Sequence, residues 1–140
     1  MNPRPAAVLD HVAVETTDIA ADTAVLVQTL GLAEIRWGIH VVTGRRIVML
    51  GDATGMKLEL IETPEPDGSL AHIAFEVADV RDAAVAAISG GCLADLALAR
   101  IPAAMASISQ VRSTAGTALQ FIHYQAGSPD ITRDSEGSPS

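Results

Sequence analysis

The chain has 140 residues, a length that one domain typically takes. Apolar residues make up 49% and charged residues 19%, which is typical of a soluble globular protein and excludes a wholly disordered chain. The net charge of −8 argues against binding to nucleic acid or to an anionic membrane surface, because both require basic patches.

Features missing from the sequence bear on its cellular setting. No apolar run approaches the roughly 20 residues that span a bilayer, and the first residues lack the apolar core of a signal peptide. The single cysteine, Cys92, excludes an internal disulfide and is expected to be a small buried residue. We therefore expect a cytoplasmic protein without membrane partners.

The first half of the chain predicts one strand, one helix and three further strands. β-Branched residues alternate with other side chains over 8–15, as in a half-buried strand. Asp18 is placed as the N-cap of a helix over 19–30, and Gly31 follows as its stop. Three strand candidates come next, at 33–42, 45–51 and 56–62.

The second half repeats the first at an offset of 61 residues without a gap, and eleven of the 54 pairs from position 9 to position 62 are identical. The segment 9–15 falls on 70–76, and the cap Asp18 falls on Asp79. The second half accordingly predicts a strand at 70–77, a helix at 80–89 and strands near 93–99, 104–111 and 117–124.

The pattern is βαβββ twice, which predicts an α+β fold of two tandem modules in a single domain over 1–125. Module one covers 8–62 and module two covers 70–124. The linker 63–69 is rich in proline and acidic residues. Residues 126–140 have little apolar content, and we expect a disordered tail there.

Two pairs of polar residues occupy equivalent places in the modules: His11 and His72 near the starts of the first strands, and Glu59 and Gln120 in the last strands. Strand side chains alternate between the two faces of a sheet. If the helices cover the face to which Leu58 points, all four polar side chains point to the opposite, uncovered face. Two imidazoles, a carboxylate and an amide oxygen form a plausible first shell for a divalent metal, with positions left open for substrate.

Simpler interpretations remain open for each of these residues. A strand histidine is often only solvated or hydrogen-bonded, and Glu59 would then lie on an exposed strand face. His40 is a candidate general base because imidazole titrates near neutrality, or else a solvated hairpin residue. Arg45 and Arg46 either hold an anionic group or face solvent. Glu15 and Glu76 share the parity of the histidines and are candidates to orient their rings.

Five segments together resemble the vicinal oxygen chelate superfamily, which includes glyoxalase I, bleomycin-resistance proteins, extradiol dioxygenases, fosfomycin-resistance enzymes and methylmalonyl-CoA epimerase. The resemblance covers residues 8–124. Its segments are Leu-Asp-His-Val-Ala-Val (9–14), Leu-Gly-Leu (30–32), Gly-Met-Lys-Leu-Glu-Leu-Ile-Glu (55–62), Ala-His-Ile-Ala-Phe-Glu-Val (71–77) and Gly-Thr-Ala-Leu-Gln-Phe-Ile (116–122).

The resemblance implies eight strands that curl around an open, barrel-like cleft, commonly in a homodimer. It places the family's metal positions on His11, Glu59, His72 and Gln120, with iron, zinc, nickel, cobalt, manganese or magnesium as the divalent ion. The last position is usually Glu and here is Gln120. This mixed ligand set is more similar to that of glyoxalase I or the epimerase than to that of the dioxygenases.

We therefore expect a divalent-metal-dependent enzyme that carries out isomerisation, epimerisation or lyase chemistry through an enolate of a small carbonyl-containing substrate. Glu59 and His40 are the candidates for moving the proton. Two alternatives stay open at this point. One is a non-catalytic binding protein of the bleomycin-resistance type, and the other is a metal-free tailoring protein for natural products.

Overall fold

The computed structural model describes residues 7–65 and 70–132 of the chain. Strands and helices follow one another in the predicted order, with one short 3-10 helix (Pro102–Ala104) added in the second module. The elements are β1 (Val8–Thr16), α1 (Ile19–Gln28), β2 (Ala33–Ile39), β3 (Arg46–Gly51), β4 (Lys57–Glu62), β5 (Leu70–Glu76), α2 (Val80–Ser89), β6 (Leu93–Ile101), β7 (Ala106–Arg112) and β8 (Ala118–Tyr124).

All eight strands form one sheet in the order β2-β3-β4-β1-β5-β8-β7-β6. Within each module the first strand pairs in parallel with the last, and the two modules meet where β1 and β5 pair antiparallel. The predicted α+β fold of two βαβββ modules is confirmed. The four strands that carry the candidate ligands, β4, β1, β5 and β8, are therefore neighbours at the centre of the sheet of one chain.

The helices cover one face of this sheet and leave the other face free. In module one, Ile19 of α1 packs with buried residues of β3 and β4, among them Leu50 and Leu60. In module two, Val80 and Ala83 of α2 pack with Val77. Neither α-helix in the described ranges has the length and apolar content needed to cross a lipid bilayer.

Helix α1 begins and ends with the predicted capping chemistry. The Asp18 carboxylate accepts a hydrogen bond from the backbone N–H of Ala21 at 3.0 Å. After the helix, Gly31 adopts a left-handed φ of 77°, and the N–H groups of Gly31 and Leu32 return to carbonyls of the last turn. The helix ends at Gln28, two residues before the predicted end at 30.

Local structure explains two of the strand boundaries that differ from the prediction. Strand β2 ends at Ile39 rather than at 42, because residues 40–45 form a hairpin loop closed by backbone hydrogen bonds. Strand β7 begins at Ala106 rather than at 104. Pro102, which has no backbone N–H to donate to a neighbouring strand, begins the 3-10 helix that occupies those positions.

The expectation of a disordered tail was wrong for residues 126–132. Ser128 and Asp130 in this segment are buried at 6% and 0% exposure. The Ser128 hydroxyl donates to the carbonyl of Ala104 in module two, and the Thr132 hydroxyl donates to the carbonyl of Gly55 in module one. We call residues 126–132 the C-terminal strap, because they bind to both modules. Residues 66–69 of the linker and 133–140 of the tail lie outside the described residues.

Candidate metal centre

The register of the central strands aligns the candidate ligands in two rows. In the first row, Glu59 of β4 lies opposite Ala13 of β1, which in turn lies opposite His72 of β5. Side chains at paired positions of adjacent strands point to the same face. Because Ala13 is small and fully buried, it leaves room between the longer side chains of Glu59 and His72.

The second row is the counterpart of the first in the other module. His11 of β1 lies opposite Ala74 of β5, and Ala74 lies opposite Gln120 of β8. Ala74 is also fully buried. The repeated His-x-Ala of both modules thus has a structural cause, since each alanine separates a histidine from the acidic or amide side chain of the same row.

Three of the four predicted ligands meet at one point. His11 Nε2 lies 3.2 Å from His72 Nε2, and Glu59 Oε1 lies 3.3 Å from His72 Nε2 and 3.9 Å from His11 Nε2. All three residues are at least 95% buried. Two atoms bound tetrahedrally at 2.0–2.1 Å from zinc are about 3.3 Å apart. Both the spacing and the N, N, O donor set therefore fit a divalent ion.

Gln120 is buried and lines the same cavity as the three ligands. Within the described part of the chain, no hydrogen bond joins its amide to His11, Glu59 or His72. The structure thus places Gln120 on the correct face, one strand beyond His72, as the candidate fourth donor.

The charge state of Glu59 suits a metal ligand. Burial alone raises its pKa, but the hydrogen bond from His72 and the electrostatic interactions with His11, His72 and Arg36 outweigh burial and lower the pKa to about 2. The carboxyl group is therefore ionised at neutral pH, as a ligand must be.

Asp10 contacts the candidate ligand His11, a contact that the alternation rule missed. Its Oδ2 lies 2.6 Å from His11 Nδ1, and a carboxylate only accepts, so Nδ1 carries the proton. Nε2 of His11 is then left as a lone-pair donor facing Glu59 and His72. The contact arises from a β-bulge: β1 advances by two residues from Leu9 to His11 while β5 advances by one, which leaves Asp10 unpaired and re-aims its side chain.

Buried partners hold Asp10 in turn. Lys57 Nζ lies 2.9 Å from Asp10 Oδ1, and the Tyr124 hydroxyl donates to Asp10 Oδ2 at 2.6 Å. Burial raises the pKa of Asp10, but the hydrogen bond from His11, the electrostatic interaction with its ring and the charge of Lys57 outweigh burial and lower the pKa. Lys57 also donates to the carbonyl of Asp130 at 2.5 Å, so the C-terminal strap is joined to the metal centre through two residues.

We expect Asp10→Ala to weaken zinc binding by about 10–100-fold, the usual cost of losing a partner that orients a histidine ligand. Asp10→Asn should recover much of this loss, because its amide oxygen still accepts from His11 Nδ1. Titration of both variants against a competing chelator measures the effect. Equal affinity of Asp10→Ala and the unchanged protein would contradict a role for Asp10 in orienting His11.

The four candidate ligands line a cavity of about 360 Å³. Among the other predicted residues, His40, Glu15 and Arg45 line this cavity, but no contact ties Glu15 to either histidine ring in the described chain. Arg46 is paired with Glu62 on the surface and does not line it. Part of the cavity wall is aliphatic and includes Ile39, Val41, Ile47, Ile61, Ile101 and Ile108.

We expect Gln120→Glu to bind zinc at least as tightly as the unchanged protein, because it replaces a neutral amide oxygen with an anionic one. Gln110→Glu is the matched control. Gln110 lies directly opposite Gln120 on β7 and also lines the cavity, but its amide is bonded to Asp95. A competition titration that finds weaker zinc binding only in Gln120→Glu would argue against Gln120 as a ligand.

The chain resembles several proteins of known structure. No protein-family model matches the chain, and no curated protein matches it. Methylmalonyl-CoA epimerase from Mycobacterium tuberculosis superposes with a TM-score of 0.76 at 16% identity, over 89% of this chain and 93% of that one. A Streptomyces coelicolor methylmalonyl-CoA epimerase variant in complex with 2-nitronate-propionyl-CoA gives 0.72 at 20% identity, over 88% and 99%.

A third solved structure, a hypothetical protein from Bacillus halodurans C-125, has a TM-score of 0.73 and 18% identity, over 88% of this chain and 98% of that one. The superpositions span nearly the whole length of each neighbour, and the shared architecture is the eight-stranded curled sheet with two helices. The chain therefore has the fold of the vicinal oxygen chelate superfamily.

Proposed function

We propose that the protein is a divalent-metal-dependent enzyme that isomerises, epimerises or cleaves a small carbonyl-containing substrate through an enolate. The observation that carries this proposal is the buried cluster of His11, Glu59 and His72, which lines a cavity large enough for a small molecule. The fold shared with methylmalonyl-CoA epimerases supports it.

In this proposal His11, Glu59 and His72 hold the ion, and Gln120 supplies a neutral fourth donor. Zinc, nickel, cobalt, manganese and iron are all compatible with this donor set. A divalent ion bound there supplies Lewis acidity, which stabilises negative charge as it develops on a substrate oxygen. The buried network around Asp10 fixes the ring of His11.

We assign removal of the substrate proton to Glu59, which lines the cavity where the substrate would bind; His40, the second candidate, lines the same cavity. Glu59 is ionised, and its carboxylate would accept a proton from the carbon next to the carbonyl. The substrate carbon loses a C–H bond, Glu59 gains the proton, and the electron pair moves to the carbonyl oxygen. Return of a proton to the opposite face of that carbon gives epimerisation, and its delivery to the former carbonyl carbon gives isomerisation.

The test of the proposed function combines metal analysis with proton exchange. Protein prepared without chelator and then supplied with zinc should hold one ion per chain by elemental analysis. Incubation in D₂O with methylmalonyl-CoA, or with a small aliphatic 2-oxo acid, should then exchange the proton next to the carbonyl, as followed by NMR. Less than one zinc ion per chain after reconstitution would contradict the proposal. Tight binding of the small molecule without exchange of its proton would favour the alternative of a non-catalytic binding protein.

We also propose that the protein is a cytoplasmic homodimer, although each chain carries all four candidate ligands. The outermost strand β6 supports a dimer, because it ends the sheet with Leu93 and Leu98 at 63% and 43% exposure. Size-exclusion chromatography with light scattering of the full chain should give twice the mass of one chain. A monomer at micromolar concentration that binds zinc would contradict the dimer and show that one chain is sufficient to form the zinc site.

A further inference from the structure

The hairpin loop between β2 and β3 holds His40 in a defined place. The backbone N–H of His40 donates to the carbonyl of Arg45 at 2.7 Å, and the N–H of Gly44 donates to the carbonyl of His40 at 2.9 Å. Gly44 has a left-handed φ of 73°, which allows the chain to turn back within six residues. The backbone that carries the imidazole is thus fixed by the loop itself.

The ring of His40 is oriented by the same loop. Its Nδ1 lies 3.2 Å from the backbone nitrogens of both Val42 and Thr43, and each of these N–H groups donates to it. A backbone N–H has no lone pair to offer in return, so Nδ1 must be unprotonated. The neutral ring then carries its proton on Nε2. Among the described residues, no hydrogen bond is made to Nε2.

His40 lines the same cavity as Glu59 and His72. Burial lowers the pKa of His40; Glu59 opposes this effect, and the positive charges of His72 and Arg45 add to it, with a net lowering. The environment therefore favours the neutral ring, in agreement with the two backbone donors at Nδ1.

We infer that His40 serves as a neutral hydrogen-bond donor, presenting Nε2–H to a substrate oxygen on which negative charge develops. The inference rests on the proposed function and refines it, because a ring whose Nδ1 is occupied by donors and whose Nε2 is protonated has no free lone pair. His40 is then not the general base that the sequence predicts. No proton leaves the ring, and removal of the substrate proton falls to Glu59.

The tautomer can be measured without any reaction. A long-range ¹H–¹⁵N NMR spectrum separates protonated from unprotonated ring nitrogens, and comparison with His40→Gln assigns the signals of His40. In the metal-free protein we expect an unprotonated Nδ1 and a protonated Nε2 at neutral pH. A protonated Nδ1, in either the neutral or the charged ring, would overturn the inference.

The donor role is tested by binding of oxalate, a dianion with two neighbouring oxygens, to the zinc-loaded protein. His40→Phe should weaken oxalate binding about 10-fold or more, since it removes a hydrogen bond to a charged group. His40→Gln should retain affinity within about threefold, because the Gln amide nitrogen lies at the same chain position as Nε2 and donates as well. Zinc affinity should be unchanged in both variants.

Equal losses in His40→Phe and His40→Gln, or no loss in either, would overturn the inference. Failure of the unchanged protein to bind zinc would instead overturn the proposed function, while the tautomer measured in the metal-free protein still decides the state of His40. The two proposals therefore fail by different measurements.

Discussion

His11→Ala and His72→Ala are each expected to lower zinc affinity by at least roughly 100-fold. This is a larger loss than that expected for Asp10→Ala, which removes only a residue that orients a ligand. Each removes one of three donor atoms that lie 3.2–3.9 Å apart, and the remaining two leave a vacated position inside a buried site. The fold should persist, because both rings face the cavity rather than the helix-covered core. Zinc titration and circular dichroism of the same samples measure the two effects.

His123→Ala is the matched control for these variants. His123 lies on β8, three residues after Gln120, but it is exposed and its ring contacts the carbonyl of Val77. Its removal should leave zinc affinity unchanged. If His11→Ala and His72→Ala both unfolded while any folded fraction bound zinc normally, the two histidines would be structural residues and the metal centre would be ruled out.

The fold was largely predictable because the sequence contains the same βαβββ pattern twice. Each module supplies its own alternation and helix cap, and the match at an offset of 61 residues joins the two patterns. Alternation over β1 and β4 was sufficient to place His11 and Glu59 on the face that the helices leave free. Their partner strands could be ordered only by the structure, since alternation identifies faces and not neighbours.

The residues that surround the candidate ligands, and their contacts, were not predictable in the same way. Asp10 is the extra residue of a β-bulge, so its side chain does not point to the face that alternation assigns to it. Lys57 and Tyr124 meet across 67 positions of the sequence, a separation over which local patterns carry no information. His40 was identified as a candidate, but its role depends on a tautomer that only its hydrogen bonds define.

The C-terminal strap shows why composition alone misled. Gly, Ser, Pro and Asp are typical of disordered segments because they bury little apolar surface. Here the segment is ordered by polar contacts instead: the carboxylate of Asp130 is fully buried against Arg36, 94 positions earlier in the chain. A long-range ion pair and the hydrogen bonds of Ser128 and Thr132 can therefore order a segment whose own residues favour disorder.

Asp130→Ala is accordingly expected to lower the free energy of unfolding by about 3–5 kcal/mol, the usual cost of leaving one partner of a buried ion pair uncompensated. Arg36 Nε donates to both carboxylate oxygens at 2.8 and 3.0 Å, and its side chain is only 7% exposed. Arg36 Nη1 has no hydrogen-bond partner among the residues described, so the guanidinium depends on Asp130. Urea denaturation measures the change.

Two further variants show whether the charge itself is responsible. Asp130→Asn keeps the size and an acceptor oxygen, and should be destabilised less than Asp130→Ala. The double variant Arg36→Met with Asp130→Leu removes both charges and should recover most of the lost stability, because apolar pairs of similar volume replace buried ion pairs well. If the double variant were as unstable as Asp130→Ala alone, the strap would be held by its backbone contacts, such as that of Asp130 with Lys57, and not by the ion pair.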